Sequence, residues 1–383
     1  MEKWDIKEWN QVLEIKSGRN QKAVLNPNGE YPIIGSAGKI MGYADNYICE
    51  EGTTIIGRKG TINSPLFIEH KFWNVDTAFG LQTNELLDNR FLYYFCLSFD
   101  FTDLDKGSGR PSLVKSDLLK VQIPLPPLPQ QKQIVLTLDK AFAAIDTAKA
   151  NAEQNLQNAK ELFESYLQIV FENKGDDWEL KIFDDVINFS QIGLVRNNKE
   201  QSSEYTYRYL KMNNINNDNG LNEDSFKFVN ATSEEVKKYQ LLNDDFLFNT
   251  RNSFELVGKN CLYKSDYTKP TLFNNNILRV RFNDFLFPEF AAYAFSSKAM
   301  IDSLEKVKSG TTNVVGIYYK SLKYLEIPIP PLPEQKQIVQ KLDLLSTETK
   351  KLEAIYTQKI ADLEEMKKSI LRKAFSGQLN AQI

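Results

Sequence analysis

Ile123-Pro-Leu-Pro-Pro-Leu-Pro129 runs into Gln-Gln-Lys-Gln-Ile-Val135, and Ile327-Pro-Ile-Pro-Pro-Leu-Pro333 runs into Glu-Gln-Lys-Gln-Ile-Val339. One such stretch alone reads as a linker or a polyproline II ligand. The second copy lies 204 positions further on (327 − 123), and the same offset carries Ser165 onto Ser369, Leu167 onto Leu371 and Phe171 onto Phe375. Self-similarity of this length decides the architecture before any local reading does. The chain is two copies of one plan.

Each copy feeds a long amphipathic helix. Residues 130–172 contain neither Pro nor Gly, and Val135, Leu138, Phe142, Ile145, Ala152, Leu156, Ala159, Phe163, Tyr166 and Val170 recur by threes and fours, with Lys149 as the one misfit. That spacing predicts a coiled-coil seam, on a helix about 60 Å long at 1.5 Å per residue. Residues 334–375 repeat the pattern through Ile338, Leu342, Leu345, Thr349, Leu352, Tyr356, Leu363, Met366 and Ile370, and Gly377 follows as a C-cap. A single stripe needs a partner to cover it, so the two helices are expected to pack as an antiparallel pair. That arrangement relates the two copies by a pseudo-twofold axis, with one variable domain at each end.

The segments between are strand-rich. Short apolar bursts such as Tyr31-Pro-Ile-Ile-Gly35, Ile40-Met-Gly-Tyr43 and Thr53-Thr-Ile-Ile-Gly57 are cut by turn residues. Trp178-Glu-Leu-Lys-Ile-Phe-Asp-Asp-Val186 restarts the plan begun by Trp4-Asp-Ile-Lys-Glu-Trp-Asn-Gln-Val12. The middles of the two domains then differ in sequence. Both close on an aromatic helix (89–99 and 290–295) and a loop, Lys106-Gly-Ser-Gly-Arg-Pro-Ser112 in the first and Lys308-Ser-Gly-Thr-Thr-Asn313 in the second, before the proline stretch. Trp73, Phe95 and Phe295 are read as core. The expected fold is α+β: a strand-rich domain at 1–122, proline stretch and central helix at 123–175, a second strand-rich domain at 176–326, and proline stretch and C-terminal helix at 327–383.

Composition narrows the function by exclusion. Of 383 residues, 42% are hydrophobic and 25% charged, which is ordinary for a globular protein. Cys49, Cys96 and Cys261 are scattered, without CxxC spacing, and read as small buried residues in a reducing cytosol. No apolar leader or membrane-length run is present, so a soluble cytoplasmic protein is expected. The sole histidine, His70, has no catalytic or metal-binding partner at useful spacing. Gly35-Ser-Ala-Gly-Lys39-Ile40 fails as a phosphate loop, with Ile at 33 and 40 where Gly and Ser/Thr are required. Glu69-His-Lys71 is a common triplet, and the Asn clusters at 213–219 and 274–276 lack the prolines of a methyltransferase signature. Nothing here reads as an enzyme, a metal site or a cofactor site. The net charge of −3 withholds the basic excess common in nucleic-acid binders, so any such surface must be a local stripe or come from another subunit.

The two Ile-Pro-x-Pro-Pro-Leu-Pro-x-Gln-Lys-Gln-Ile-Val stretches and the closing Ala374-Phe-Ser-Gly-Gln-Leu379 resemble the specificity subunit of type I restriction-modification enzymes. The resemblance covers the whole architecture. It implies a non-catalytic chain whose two target recognition domains each read one half of a bipartite, asymmetric double-stranded DNA sequence. It also implies that the helices set the half-site spacing and dock two modification subunits carrying S-adenosylmethionine, and through them the restriction subunits. Arg pairs bidentately with guanine and Asn with adenine, while Ser, Thr and Lys hold phosphates. The candidate DNA contacts on the turns are therefore Ser36, Lys39, Arg58, Lys59, Lys106, Ser108 and Arg110, and in the second half Lys211, Asn213, Thr250, Arg251, Asn252, Lys308, Thr311, Thr312 and Asn313. Two rivals remain: the specificity subunit of a type IIB-like enzyme that cuts on both sides of its site, and a coiled-coil adaptor whose proline stretches are protein ligands.

Overall fold

The first half of each proline stretch is a strand, and the second half starts a helix. In this computed structural model, which describes residues 4–216, 219–311 and 314–379, the chain divides into two units. One comprises residues 1–155 and 355–383, the other residues 156–354. Within the first, β1 (Asp5–Glu8) pairs antiparallel with β9 (Gln122–Leu125), setting Ile6 opposite Pro124 and Lys7 opposite Ile123. A two-stranded ribbon tolerates Pro124 because a proline has no N–H to give to a further strand.

The remaining strands of that unit are β2 (Leu13–Ser17), β3 (Tyr31–Ile34), β4 (Ile40–Ala44), β5 (Thr53–Gly57), β6 (Leu66–Ile68), β7 (Trp73–Asn74) and β8 (Ala78–Thr83). They form an antiparallel sheet ordered β2-β8-β5-β6 and a mixed sheet ordered β4-β3-β7, in which β3 runs parallel to β7. Every residue of β5 is buried, Thr53 and Thr54 included, so the strand shows no alternation of apolar and polar positions. The aromatic helix Asn89–Ser98 is capped by Asp88, whose side chain accepts from the Arg90 and Phe91 amides. Its Phe91 and Phe95 pack in one core with Trp9, Leu118, Ile123, Leu138, Leu371 and Ala374.

The second unit repeats this topology strand for strand. β10 (Glu179–Ile182) pairs with β21 (Glu326–Ile329), so that Lys181 faces Ile327 as Lys7 faces Ile123. β11 (Ile187–Ile192), β18 (Ile277–Phe282), β14 (Phe246–Asn249) and β16 (Asn260–Leu262) form the antiparallel sheet in that order. β13 (Lys227–Val229), β12 (Tyr207–Leu210) and β17 (Thr271–Phe273) form the mixed one, again with one parallel pair. Even a close backbone approach is kept. A Cβ on Gly18 would lie 1.7 Å from the Val75 carbonyl oxygen, and one on Gly193 would lie 2.3 Å from that of Phe273. The second unit adds a small sheet of β15 (Arg251–Asn252), β20 (Val314–Gly316) and β19 (Ser309–Thr311). Of the segment expected to be a loop at 308–313, Ser309–Thr311 form a strand paired antiparallel with Val314–Gly316.

Both long helices, Leu128–Glu172 and Leu332–Phe375, contribute to both units. Within the first unit their segments run antiparallel, because Lys149 pairs with Glu364 while Asp146 pairs with Lys367. This pairing accounts for the misfit in the seam: Lys149 sits there because Glu364 meets it. The seam residues Leu138, Ile145, Ala152, Ala159, Leu342 and Thr349 are buried as expected. Leu352 and Met366 are not; they are 38% and 50% exposed.

One residue joins strand, helix and domain in each unit. Gln131 and Gln335, 204 positions apart, are both 0% exposed. The Gln131 carbonyl accepts from the Asp88 amide at 2.8 Å, and its amide group donates to the Leu86 and Pro126 carbonyls at 2.9 and 2.8 Å. Gln335 does the same with the Phe287 amide and the Phe285 and Pro330 carbonyls, at 2.8, 2.8 and 2.9 Å. Replacing Gln131 by Ala strands one N–H and two carbonyls, at about 1–3 kcal/mol for each buried group left unpaired. The first unit should lose roughly 3 kcal/mol or more, seen as faster amide exchange in that unit alone, and Gln335→Ala should transfer the loss to the second. Unchanged exchange in both variants would show that the amide is replaceable.

Candidate nucleic-acid interface

Ser36, Lys39, Arg58, Lys59, Lys211 and Thr250 lie where strands leave the sheets, while Lys106, Ser108 and Arg110 lie on the loop between residues 104 and 115. In the first unit, Arg58 follows β5, and its amide donates to the Thr77 carbonyl at 2.8 Å while its carbonyl accepts from the Leu113 amide at 2.9 Å. Gly60 donates to the Pro111 carbonyl at 2.8 Å, and Lys59 and Ser112 form an antiparallel bridge. The loops around 58–60 and 106–113 are thereby one surface, with Lys59, Lys106, Ser108 and Arg110 exposed on it. The Arg58 guanidinium is half-covered, reaching the Asp76 carbonyl at 3.4 Å and lying 5.7 Å from the Phe79 ring centre.

Two features hold this surface in shape. Gly60 has φ +84°, and a Cβ there would lie 2.8 Å from the Arg110 guanidinium, so the arginine rests where only glycine leaves room. Asp105 accepts from the Ser112 and Gly107 amides, each at 2.7 Å, closing the loop across its neck. These backbone donors hold the Asp105 carboxyl below the usual range. The turn carrying half-buried Ser36 and exposed Lys39 joins the same region through residues 75–77, since the Val75 amide donates to the Ile34 carbonyl at 3.3 Å.

In the second unit the frame is the same and the side chains are not. Thr250 occupies Arg58's place, its amide donating to the Asn276 carbonyl at 2.8 Å and its carbonyl accepting from Ile317 at 2.9 Å. Its side chain is only 6% exposed, with the hydroxyl donating to the Asn276 carbonyl at 3.0 Å. Lys308 is also turned inward. Its side chain is 9% exposed, and its ammonium donates to the Phe254 carbonyl at 2.8 Å, over the Phe254 ring at 4.1 Å. Lys211 reaches Gln201 at 3.2 Å, and Asn252 accepts from the Ser253 amide at 2.9 Å. Arg251 and Asn213 are exposed. Thr311 lies in β19, and Thr312 and Asn313 fall outside the described residues.

Sequence reasoning passed over three residues. Exposed Arg19 follows Gly18, its amide donating to the Asn74 carbonyl at 2.9 Å. Tyr318 is 40% exposed, with Arg251 and Lys320 at 5.9 and 6.0 Å from its ring centre. Arg19 and Lys320 lack a motif, but Tyr318 follows a glycine-bounded strand beside the second proline stretch, a position the repeat itself marks. Among the described residues no cluster of metal-ligating side chains occurs, and no helix is long and apolar enough to cross a membrane.

A duplicated recognition frame carrying different loops, threaded by two long helices, defines the class. A family model described as "Type I restriction modification DNA specificity domain" matches residues 1–158 and 175–364. The chain belongs to this family, which supplies specificity rather than catalysis. It is 25% identical over 334 residues to the type I restriction enzyme EcoKI specificity subunit of Escherichia coli K12, covering 82% of this chain and 71% of that one. It is 26% identical over 357 residues to the putative type I restriction enzyme specificity subunit S.HindORF215P of Haemophilus influenzae, covering 89% and 88%. Among solved structures, it matches the HsdS subunit from Thermoanaerobacter tengcongensis with a TM-score of 0.61 at 18% identity, covering 99% and 98% of the chains. A chain solved in work on complex assembly and conformational transition of the type I R-M system gives 0.79 at 19% identity, covering 99% of both. Those two likenesses establish the shared fold. The specificity-subunit reading, rather than the adaptor, is the one these findings support.

Because Asp105 holds two amides, Asp105→Ala should free the Gly107 and Ser112 N–H groups. Their exchange should accelerate about tenfold, matching ~1–1.5 kcal/mol of local opening, while the protection of β5 and β8 is unchanged. Loss of protection throughout the unit would make Asp105 a core determinant instead.

Proposed function

We propose that each unit reads one half of an interrupted, asymmetric double-stranded DNA target. The observation that carries this is one topology repeated with unlike loops on the same strand ends. A single frame can then present two different readers, as a bipartite target with two dissimilar halves requires. The exposed Lys39, Lys59, Lys106, Ser108 and Arg110 of the first unit, with half-covered Ser36 and Arg58, are the proposed contacts. Arg251 and Asn213, with Asn252 and Lys211 beside them, serve in the second. Thr250 and Lys308 act by shaping those loops, since their polar groups are already engaged.

The two long helices enter both units, and in this reading they set the half-site spacing and carry the docking surface for two modification subunits. Those partners hold the S-adenosylmethionine and transfer the methyl group, and restriction subunits join through them. The work is cytoplasmic, where the DNA is.

Co-expression with the neighbouring modification subunit, in a host lacking other DNA methylation, tests the reading by sequencing methylated bases. One interrupted motif, lost when this chain is omitted, is expected. Arg251→Ala should relax or weaken one half of that motif by about 1–3 kcal/mol for each base interaction it removes and leave the other half unchanged. An intact complex that methylates nothing would refute the proposal.

A further inference from the structure

The small sheet of the second unit has an outer face, and its register says which side chains share it. Arg251 and Ser309 stand opposite Gly316 from either side, and Val314, two residues back along β20, joins them. Asn252, Val315 and Gly310 form the other face. Val315 is buried and Val314 is 52% exposed, so the face of Arg251 is the outer one. At its centre Gly316 carries no side chain, and a Cβ there would lie 2.9–3.0 Å from the ring and hydroxyl of Tyr318. The Tyr318 ring therefore rests over Gly316 on the outer face. The Arg251 guanidinium lies 5.9 Å from the ring centre, within cation–π range. The other arginines of this unit are held by acids: Arg196 by Glu235 at 2.8 Å, Arg208 by Glu223 at 3.4 Å, Arg281 by Asp245, and buried Arg279 beside the same Asp245 at 4.0 Å.

The same backbone positions in the first unit hold a different set. The Leu113 amide donates to the Arg58 carbonyl as the Ile317 amide donates to that of Thr250, and Lys59 bridges to Ser112 as Arg251 pairs with Gly316. Lys59, Ser112 and Val114 thus stand for Arg251, Gly316 and Tyr318, so that cation, seat and ring change together. The first unit seats an arginine at another point of the same frame, where Arg110 rests on Gly60.

A guanidinium already held against a ring loses less freedom when it forms two parallel bonds, and guanine O6 and N7 are the acceptors that its fork fits. An exposed valine offers apolar contact alone, and the apolar group on a base edge is the thymine methyl. Both features lie in the major groove, which admits a β-ribbon. Resting on the DNA reading above, we infer that the second unit reads its half-site from the major groove with this outer face: Arg251 pairs with a guanine, Tyr318 is the positioning residue that holds Arg251, and Val314 packs on a thymine methyl. Val314 and Gly316 are two residues apart, about 7 Å along the strand, which is the rise of about two base pairs. That half of the target therefore contains a G·C pair within about two base pairs of an A·T pair. The first unit reads its own half with its own set.

The test uses the full chain in its complex with the modification subunit, and duplexes bearing the motif that the complex methylates. 7-Deazaguanine, which lacks the N7 acceptor, replaces each guanine in turn, and uracil, which lacks the methyl group, replaces each thymine. Wild-type binding should weaken about tenfold at one guanine of the half read by the second unit, and roughly threefold at one thymine close to it. R251K keeps the charge and loses the fork, so it should abolish that guanine's effect and make the methylated motif degenerate there, with the other half unchanged. V314A should abolish the uracil effect alone. G316A, whose Cβ displaces the ring, and Y318A should each blunt discrimination at the same guanine, while Y318F, which keeps the ring, retains it. An undiminished 7-deazaguanine effect in R251K, relaxation of both halves by R251K, or no sensitive guanine in that half overturns the guanine assignment. A uracil effect that survives V314A overturns the role of Val314, and full discrimination in both G316A and Y318A overturns that of the ring. If the wild-type complex shows no preference for any sequence, it is the DNA reading itself that falls. The modified duplexes need no variant, so the guanine contact is tested even where a substitution prevents folding, which gel filtration and circular dichroism of each complex reveal.

Discussion

A buried glutamine at the start of each long helix ties together parts that would otherwise be independent. An amide in the interior is costly unless its donors and acceptors are met, and here one side chain meets a backbone N–H and two backbone carbonyls. The carbonyl of Pro126 or Pro330 belongs to the turn between strand and helix, while the other two groups belong to the loop that opens the aromatic helix. The angle at which the helix leaves its strand is fixed by that clamp, with an aromatic hydroxyl further along as a second tether. Tyr94 donates to Asp139, and Tyr293 donates to Asp343 at 2.6 Å. Burial and the neighbouring carboxylates raise both tyrosines above their ordinary range, so they remain donors.

The frame is kept between the units far better than the surface it carries. Strand order within the sheets and the clamp recur in both units, whereas β15, β20 and β19 form an extra sheet in the second unit alone. Evolution of specificity in such a design needs changes only beyond the strand ends. The backbone hydrogen bonds that position Arg58 in one unit and Thr250 in the other are indifferent to which side chain they hold.

How much of this could be read beforehand follows from where each determinant lies along the chain. The helices, the aromatic helices and the repeat were legible because their signals are local and recur. The matching topology of the middles was not, since β6, β13, β16 and β17 are three residues long and carry no periodicity. Their pairing is decided by partners far away in sequence. The internal partners of a candidate side chain are hidden for the same reason. Nothing near Lys308 announces that its ammonium will find the carbonyl of Phe254, 54 residues earlier. Leu352 and Met366 fit the seam by spacing, but spacing does not say how far along the helix a partner continues to cover the stripe.

The first unit closes its core with the last helical turns of the chain. Phe375 lies 5.0 and 5.5 Å from the rings of Phe91 and Phe95, and Leu371 and Ala374 are buried beside them. Synthesis from N- to C-terminus therefore makes the second unit's residues complete before the first unit's. While the ribosome is still translating, the earlier-made recognition unit has a hydrophobic slot waiting for a segment not yet in existence. The order of manufacture and the order of completion are reversed, and a chain released short of residue 371 keeps the sequence of its first reader without the wall that closes it.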